Sequence, residues 1–395
     1  MMPWSIYIHI PFCRHRCGYC DFNTFAGQEF RIPDYLQALE SEILQVASSL
    51  EHKPSVHTLF FGGGTPSLIP AEGFERIYKV LNDHFSFTDS LEATLEANPG
   101  TVTPDYLRRL RQIGLNRISL GMQSAQPHEL RLLERQHGIE DVARAVNWAR
   151  EAGFENLSLD LIYGLPGQSM EGWQDSIQHA LSLAPDHLSI YCLTIEPGTP
   201  LMRKLNQGWI TAPDDDLAAD MLEWCMHELP DRGFEQYEIS NFARRDAHGE
   251  LLLSRHNCQY WRNQPYLGFG AGAHGSACGV RTENVGRIAA YLNRCQQVER
   301  RTFPLGPATL HSQKIDWQTE MQETMMVGLR LTQEGVDRSE FLERFHIDLM
   351  EVYGLQIERL IHLGLLEWTT TDAQKIRLTW KGRLLGNQVF MEFVG

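Results

Sequence analysis

The feature that most constrains the fold is a regular alternation of short apolar segments with longer helical patterns between residue 5 and about residue 195. Strand-helix repeats of this kind imply a parallel sheet with right-handed crossovers. The predicted strands are Ser5–Ile10, His57–Phe61, Leu91–Glu96, Arg117–Gly121, Leu157–Ile162 and Leu188–Thr194. The predicted helices between them are Pro33–Leu50, Ala71–His84, Pro104–Ile113, Ile139–Ala152 and Met170–Leu183.

Polar motifs follow almost every predicted strand, which favours an incomplete (β/α)6 barrel over an open doubly wound sheet, because β/α barrels carry their sites at strand ends. The alternation stops near residue 200, and residues 201–305 read as a small α+β connector packed against the barrel of residues 1–200. Residues 306–395 read as three helices, two short strands and a terminal helix. That order predicts a C-terminal winged-helix-like domain in an α/β protein.

Composition limits the class of function. The chain has 50 acidic and 35 basic residues, a formal net charge of -15, so we expect no nucleic-acid partner. No segment approaches the roughly 20 apolar residues of a membrane helix, and the first ten residues lack a signal-peptide pattern. Five of the eight cysteines are scattered singly, which favours the cytoplasm. Peripheral contact with a membrane is compatible with the sequence.

Three cysteines, Cys13, Cys17 and Cys20, have the spacing C-x3-C-x2-C directly after the first predicted strand. A disulfide is disfavoured by the odd number and by the expected compartment. One alternative is a zinc site completed by His9 or His15, since a structural zinc needs four protein ligands. The other is a four-iron cluster, in which three cysteines leave one iron open to bind a small molecule.

Polar residues at the ends of successive strands indicate a ligand site. Gly62, Gly63 and Gly64 follow the second strand, where glycine lets the backbone approach a ligand closely. Glu96, Asn98 and Gln123 follow the next two strands, and Asp160 lies within the fifth. Asp160 needs either a structural partner, such as Arg135 or Arg117, or a ligand with hydroxyl or ammonium donors. Taken together, these positions favour a ligand.

The run from Tyr7 to Cys13, with Cys17, Tyr19 and Cys20, resembles the signature of radical S-adenosylmethionine enzymes. It is similar in particular to the branch around the oxygen-independent coproporphyrinogen III oxidases, and the resemblance covers nearly the whole chain. It implies that the three cysteines bind a 4Fe-4S cluster and that S-adenosylmethionine chelates the open iron. The positions that match the contacts to S-adenosylmethionine in this family are Tyr7, Tyr19, Gly63, Gly64, Thr65, Glu96, Gln123, Arg135, Asp160, Cys192 and His274.

Two departures separate the chain from the oxidases. The oxidases carry another cysteine two residues past the third ligand, where this chain has Phe22. They also have an N-terminal extension, whereas Tyr7 here lies almost at the start. No catalytic residue is assigned, we expect no conventional turnover, and an oxygen-independent coproporphyrinogen III oxidase is the alternative reading. Whether a second S-adenosylmethionine binds is open.

The segment His256-Asn257-Cys258-Gln259-Tyr260-Trp261 has the form H-N-x-x-Y-W, which resembles the mark of the HemW group of heme chaperones. An imidazole is a good axial ligand for heme iron, and tyrosine and tryptophan offer flat apolar surface to a porphyrin. The resemblance implies heme binding through His256, Tyr260 and Trp261, with Cys258 as a second candidate ligand. The other reading is that these residues only pack the connector against the barrel.

The implied partners are heme, a heme-acceptor protein that is plausibly respiratory and membrane-associated, and an electron-donor protein. Monomer and homodimer are both open.

Overall fold

The computed structural model describes residues 3–297, 301–369 and 373–394. The strands are β1 (Trp4–Ile10), β2 (Phe12–Cys13), β3 (Phe25–Ala26), β4 (Ser55–Gly63), β5 (Ser86–Ala97), β6 (Arg117–Gln123), β7 (Asn156–Tyr163), β8 (His187–Cys192), β9 (Phe234–Glu238), β10 (Asn241–Arg244), β11 (Tyr266–Phe269), β12 (His274–Ala277), β13 (Val280–Asn284), β14 (Thr309–Lys314), β15 (Val336–Asp337), β16 (Leu366–Trp368) and β17 (Lys375–Leu378).

The helices are α1 (Ile32–Ser48), α2 (Ala71–His84), α3 (Pro104–Ile113), α4 (Pro127–Leu132), α5 (Ile139–Glu151), α6 (Met170–Ser182), α7 (Pro200–Asn206), α8 (Asp215–Asp231), α9 (Arg255–Trp261), α10 (Ile288–Gln296), α11 (Trp317–Gly328), α12 (Arg338–Phe345), α13 (Leu349–His362), α14 (Trp380–Leu384) and α15 (Gly386–Met391). Short 3-10 turns cover Glu29–Arg31, Pro66–Leu68 and Pro99–Thr101. Within the described residues, no helix is long and apolar enough to cross a membrane.

The chain forms two compact units. One comprises residues 1–218 and 265–313, and the other comprises residues 219–264 and 314–395. Residues 201–305, the predicted connector, therefore occur in both units. The domain boundaries expected from the sequence stay a prediction.

The first unit is built on a parallel sheet whose strands follow the order β1-β4-β5-β6-β7-β8. All six predicted strands are present, and the sheet remains open as expected for an incomplete barrel. At the other edge β1 pairs in parallel with β11, which continues into the antiparallel strands β12 and β13. Every residue of β6 is buried, as is typical of a parallel strand covered on both faces. The predicted α/β fold with an incomplete (β/α)6 barrel is confirmed.

Local sequence explains the helix boundaries around this sheet. Thr103 caps α3 by accepting a hydrogen bond from the Tyr106 amide, and Pro104 occupies the first helical turn. Gly114, at φ 121°, ends the helix in a conformation that side chains rarely adopt. This combination of an N-terminal Thr-Pro and a C-terminal glycine is a standard helix start and stop signal.

The second unit holds an antiparallel pair, β9 and β10, and the C-terminal helices. Its small sheet has the order β15-β17-β16 beside α12 and α13, which is the predicted winged-helix-like arrangement. The core of this part includes Leu349, Ile357 and Ile376, all fully buried. The terminal segment differs from the prediction of one helix, since α14 and α15 are separate around Leu385. Gly386 follows directly, and glycine is a weak helix former.

Candidate functional site

The carboxyl ends of the parallel strands surround a cavity of about 410 Å³ in the first unit. Its lining contains most of the residues that the sequence predicts for a cluster and for S-adenosylmethionine: Cys13, Cys17, Cys20, Tyr19, Gly63, Gly64, Thr65, Glu96, Gln123, Arg135, Asp160 and Cys192. In the described part of the chain, Tyr7 and His274 lie outside this lining. The topology thus brings one predicted set of residues, spread over almost 180 positions of sequence, to one place.

The three cysteines reach the cavity from β2 and from the turn that follows it, where the Cys20 amide donates to the Cys17 carbonyl. Each sulfur has a polar neighbour. Thr65 Oγ1 lies 3.7 Å from the Cys13 sulfur, Arg135 Nη1 lies 3.6 Å from the Cys17 sulfur, and Thr24 Oγ1 lies 3.8 Å from the Cys20 sulfur. Burial raises the pKa of Cys13, so the free thiol is favoured there until a metal binds it. Hydrogen bonds to thiolate sulfurs are the usual second layer of an iron-sulfur site.

The glycine run Gly62–Gly64 at the end of β4 makes close backbone contact with the cysteine loop, residues 12–20. A Cβ on Gly64 would lie 2.6 Å from the Phe12 carbonyl oxygen and 2.9 Å from the Cys13 sulfur. A Cβ on Gly63, at φ 117°, would lie 2.6 Å from the His9 ring. The amides of Gly63, Gly64 and Thr65 donate to Glu96, Ile10 and Phe12 respectively. The run therefore holds the cysteine loop in place, and Gly63, Gly64 and Thr65 also line the cavity.

The zinc alternative required His9 or His15 as a fourth ligand, and both imidazoles have other partners. His9 Nδ1 is 2.9 Å from the Tyr7 hydroxyl, and its Nε2 is 3.0 Å from the Asn23 carbonyl. His15 Nε2 is 3.4 Å from Glu134 Oε2. His15 also lines the cavity, but its imidazole is paired with Glu134. The donor set expected from the sequence is three sulfurs with hydrogen-bond donors beside them, and this set fits a cluster with one open iron.

Two carboxyl groups face the same cavity. Burial, with the Asp160 carboxylate as the second cause, raises the pKa of Glu96 to about 8. Burial also raises the pKa of Asp160, although hydrogen bonds oppose this rise. Ser119 and Ser158 donate to Asp160 Oδ1 at 2.8 and 3.4 Å. A cationic ligand in the cavity would offset the cost of keeping both groups ionised.

Arg135 and Gln123 complete the wall beside these carboxyls. Arg135 Nη2 donates to the Gly121 carbonyl at 3.1 Å, while its Nε is buried without a hydrogen-bond partner in the described structure. Gln123 adopts φ 66° where the register between β6 and β7 shifts. A non-glycine residue with positive φ is strained, and such residues concentrate at binding sites. The strained backbone and the register shift together indicate that the end of β6 contacts a ligand.

Several lining residues were not predicted from the sequence, among them Ser119, Tyr191, Thr194 and Glu196. Ser119, Gly121 and Gln123 alternate along β6, so the strand period of two could have identified Ser119 on the same face. Tyr191 is adjacent to Cys192 at the end of β8 and is 43% exposed. Phe22, which the sequence had singled out as a departure, also lines the cavity and is 63% exposed.

Another glycine-rich stretch, Gly268–Gly275, is held by buried side chains of the first unit. Glu42 accepts hydrogen bonds from the Gly270 amide, Asn284 Nδ2 and the Tyr291 hydroxyl. Asn23 Nδ2, just after the cysteine loop, donates to the carbonyls of Ala271 and Gly286 at 2.9 and 3.0 Å. His274, a predicted contact to S-adenosylmethionine, begins β12 with its side chain exposed.

The H-N-x-x-Y-W segment forms α9 in the second unit, capped by Ser254. His256 is buried, and its Nε2 lies 2.8 Å from the Tyr260 hydroxyl with the two rings nearly perpendicular. Cys258 is fully buried in a core with Tyr237, Ala243 and Leu331. The Trp261 ring has the Arg330 guanidinium 4.3 Å from its centre. The four residues predicted to bind heme thus lie on one short helix but in different surroundings.

Comparison with known proteins places these features in a family. Residues 7–180 match the model of the Radical SAM superfamily, and residues 315–385 match that of the HemN C-terminal domain. The heme chaperone HemW of Bacillus subtilis (strain 168) is 37% identical over 392 residues, which cover 99% of each chain. The radical S-adenosyl methionine domain-containing protein 1, mitochondrial, of Mus musculus is 35% identical over 96% of this chain and 84% of its own. The structure of coproporphyrinogen III oxidase (HemN) from Escherichia coli, a radical SAM enzyme, matches with a TM-score of 0.82 and 26% identity, covering 99% of this chain and 90% of that one. The chain therefore belongs to the HemW family within the radical SAM superfamily.

Proposed function

We propose that this protein is a heme chaperone that binds heme, carries one 4Fe-4S cluster with an exchangeable S-adenosylmethionine, and delivers the heme to an acceptor protein. The observation that carries the proposal over a porphyrin oxidase is Phe22. This ring lines the cavity beside Cys20, at the position where the oxidases carry another cysteine. Full-length relatives at 35–37% identity are named heme chaperones.

The cluster would be held by Cys13, Cys17 and Cys20. When bound, it supplies a one-electron reductant and an open iron for S-adenosylmethionine. The protein's own contribution is to stabilise three thiolates: Thr65 and Arg135 lie next to two of the sulfurs. Gly64 lets the β4 loop approach the Cys13 sulfur closely enough to support it.

S-adenosylmethionine would occupy the rest of the cavity. Glu96 and Asp160 suit its ammonium and hydroxyl groups, and Arg135 suits its carboxylate. The Gly63 and Gly64 carbonyls and the Gln123 side chain provide further polar contacts. Tyr7 lies outside the cavity lining and would act through His9, to which its hydroxyl is hydrogen-bonded. The remaining proposed contacts are Tyr19, Thr65 and Cys192, with His274 outside the lining.

Heme would bind at α9 through His256, Tyr260 and Trp261. Cys258 is fully buried in the described structure, so its use as an iron ligand would require the core around it to open. The acceptor is a heme-requiring protein, plausibly respiratory and membrane-associated, and a separate electron donor reduces the cluster. A cytoplasmic protein that contacts the membrane only peripherally, as a monomer or homodimer, fits this role.

The test is a titration of the anaerobically purified, cluster-loaded protein with ferric heme, followed by the Soret band. We expect a saturable shift for the wild type that is lost in the Tyr260→Ala, Trp261→Ala double variant. Absence of any Soret shift in the wild type would refute the proposed chaperone function. In a parallel assay with coproporphyrinogen III, S-adenosylmethionine and a reductant, we expect no protoporphyrinogen. Its appearance at catalytic yield would establish the oxidase instead.

A further inference from the structure

The H-N-x-x-Y-W helix offers three side chains that could bind heme iron, and their environments differ. His256 is only 1% exposed and Cys258 is fully buried, whereas Tyr260 retains exposed surface. A porphyrin is a wide, flat ligand, so a side chain that already reaches the surface can meet its iron without rearrangement of the surrounding core. Of the three, Tyr260 meets this condition in the structure as it stands.

The position of each residue on α9 explains the difference. His256 and Tyr260 are four residues apart, so they lie on the same face of the helix one turn from each other. Cys258 lies two residues from both and points to another face, where it packs with Tyr237, Ala243 and Leu331. The helix therefore separates a polar pair from a structural cysteine.

The polar pair is joined by a hydrogen bond. Tyr260 Oη lies 2.8 Å from His256 Nε2, and the ring centroids are 5.0 Å apart at 84°. The contact fixes the position of the Tyr260 oxygen relative to the helix. For His256 itself to bind iron, its Nε2 would have to give up this bond and leave a site from which solvent is almost excluded.

Trp261 has a separate role in the motif. The Arg330 guanidinium lies 4.3 Å from the centre of its ring, and Arg330 Nη2 is 3.9 Å from the buried Glu238 carboxylate. One face of the indole is therefore covered by a cation that is itself held by a carboxylate. Trp261 anchors the end of the helix and presents at most one face to a porphyrin.

We infer that the Tyr260 phenolate oxygen is the axial ligand to ferric heme iron and that His256 is the positioning residue that holds this oxygen by a hydrogen bond, an assignment that rests on the proposed heme-binding function. The Tyr260 O–H bond breaks, the oxygen forms a bond to Fe(III), and the proton is released to solvent water. No electron is transferred. Tyrosine is an established class of axial ligand for heme iron, and a neutral His256 with its proton on Nε2 donates a hydrogen bond to the anionic oxygen, which stabilises it.

The experiment compares ferric heme binding by the full-length wild type and by Tyr260→Phe, His256→Gln and Tyr353→Phe. Absorption, electron paramagnetic resonance and resonance Raman spectra report the iron ligand. We expect a high-spin ferric spectrum with phenolate-iron vibrations in the wild type. Tyr260→Phe should abolish these signals and weaken binding at least tenfold. His256→Gln should keep the phenolate signature but weaken binding several-fold, since the amide can donate a hydrogen bond but does not hold it at the position of the imidazole nitrogen. Tyr353→Phe, a buried tyrosine elsewhere in the same unit, is the matched control and should behave as the wild type.

A further variant, Tyr260→His, should convert the spectrum to that of an imidazole-ligated heme, and circular dichroism checks that each variant is folded. The assignment is overturned if Tyr260→Phe keeps the wild-type spectrum, or if His256→Gln or Cys258→Ser alone removes the ligand signature. Those outcomes leave heme binding itself intact. If the wild type shows no heme spectrum at all, it is the proposed function that fails, so the two failures are distinguishable.

Discussion

Arg135 places its Nη1 3.6 Å from the sulfur of Cys17, although 118 residues separate the two in the chain. The same guanidinium donates to the Gly121 carbonyl from its other terminal nitrogen. A fixed positive charge and a hydrogen bond at a thiolate sulfur stabilise the more negative, reduced state of an iron-sulfur cluster.

We therefore predict that Arg135→Gln lowers the reduction potential of the reconstituted cluster by tens of millivolts, on the scale where about 59 mV is a factor of ten for one electron. The measurement is a redox titration followed by electron paramagnetic resonance. Arg131→Gln, an exposed arginine on α4, is the control and should leave the potential unchanged. An unaltered potential in Arg135→Gln would mean that this contact does not tune the site.

Removal of one proposed cluster ligand should release the cluster without unfolding the sheet. Cys17 is half-buried on the cavity wall, so serine can replace it with little loss of packing. We expect Cys17→Ser to lose most of its iron and visible absorbance after reconstitution, with circular dichroism unchanged. Cys278→Ser alters an exposed cysteine far along the chain and should keep its iron. Full iron content in Cys17→Ser would contradict the ligand assignment.

Gly64 is predicted to be intolerant of even one added methyl group. A Cβ there would lie 2.6 Å from the Phe12 carbonyl and 2.9 Å from the Cys13 sulfur, so Gly64→Ala must displace the cysteine loop. Overpacking of this kind costs about 1–3 kcal/mol, and we expect lower iron and sulfide content together with a lower unfolding temperature. Gly100→Ala is the matched control, because its nearest neighbour would be 3.7 Å away. Equal cluster content in both variants would show that the loop can shift freely.

Glu42 should make stability depend on pH. Burial raises its pKa from 4.5 to about 7, although the Tyr291 hydroxyl, the Gly270 amide and Asn284 donate to it. Between these two values the folded state binds more protons than the unfolded state, so stability falls as pH rises, by roughly 3 kcal/mol in total. Above about pH 7 the contribution is constant.

The check is urea unfolding of the wild type and of Glu42→Gln at a series of pH values from 4.5 to 8. The difference in unfolding free energy between them should shrink as pH rises to 7 and then level off, because glutamine does not titrate. Glu51→Gln, at an exposed position, should track the wild type throughout. A difference that stays constant with pH would show that Glu42 titrates at its ordinary value in the fold.

The local pattern of the chain was enough to predict the six parallel strands and most helices around them. The predicted helices Ala71–His84 and Pro104–Ile113 match α2 and α3 at both ends, because caps, prolines and glycines act within a few residues. The convergence of Cys13, Glu96 and Asp160 on one cavity could also be predicted, since the carboxyl ends of parallel strands meet at one edge.

The partners of these residues could not be read from local pattern. The sequence left Asp160 between an arginine partner and a ligand, whereas the fold gives it hydroxyl donors from Ser119 and Ser158 on its own and the adjacent strand. Asn23 reaches the Ala271 and Gly286 carbonyls across about 250 residues of chain. Such contacts depend on how elements pack in three dimensions, and residue periodicity carries no information on that.

The same division applies to α9. The sequence by itself determined which residue types stand together in the motif and that His256 and Tyr260 share a helix face. Only the tertiary structure decided that His256 is buried against Tyr260 and that Trp261 is covered by Arg330. Exposure is a property of the packed chain, because it depends on which distant segments exclude water from each side chain, and it is exposure that favours the tyrosine as the iron ligand.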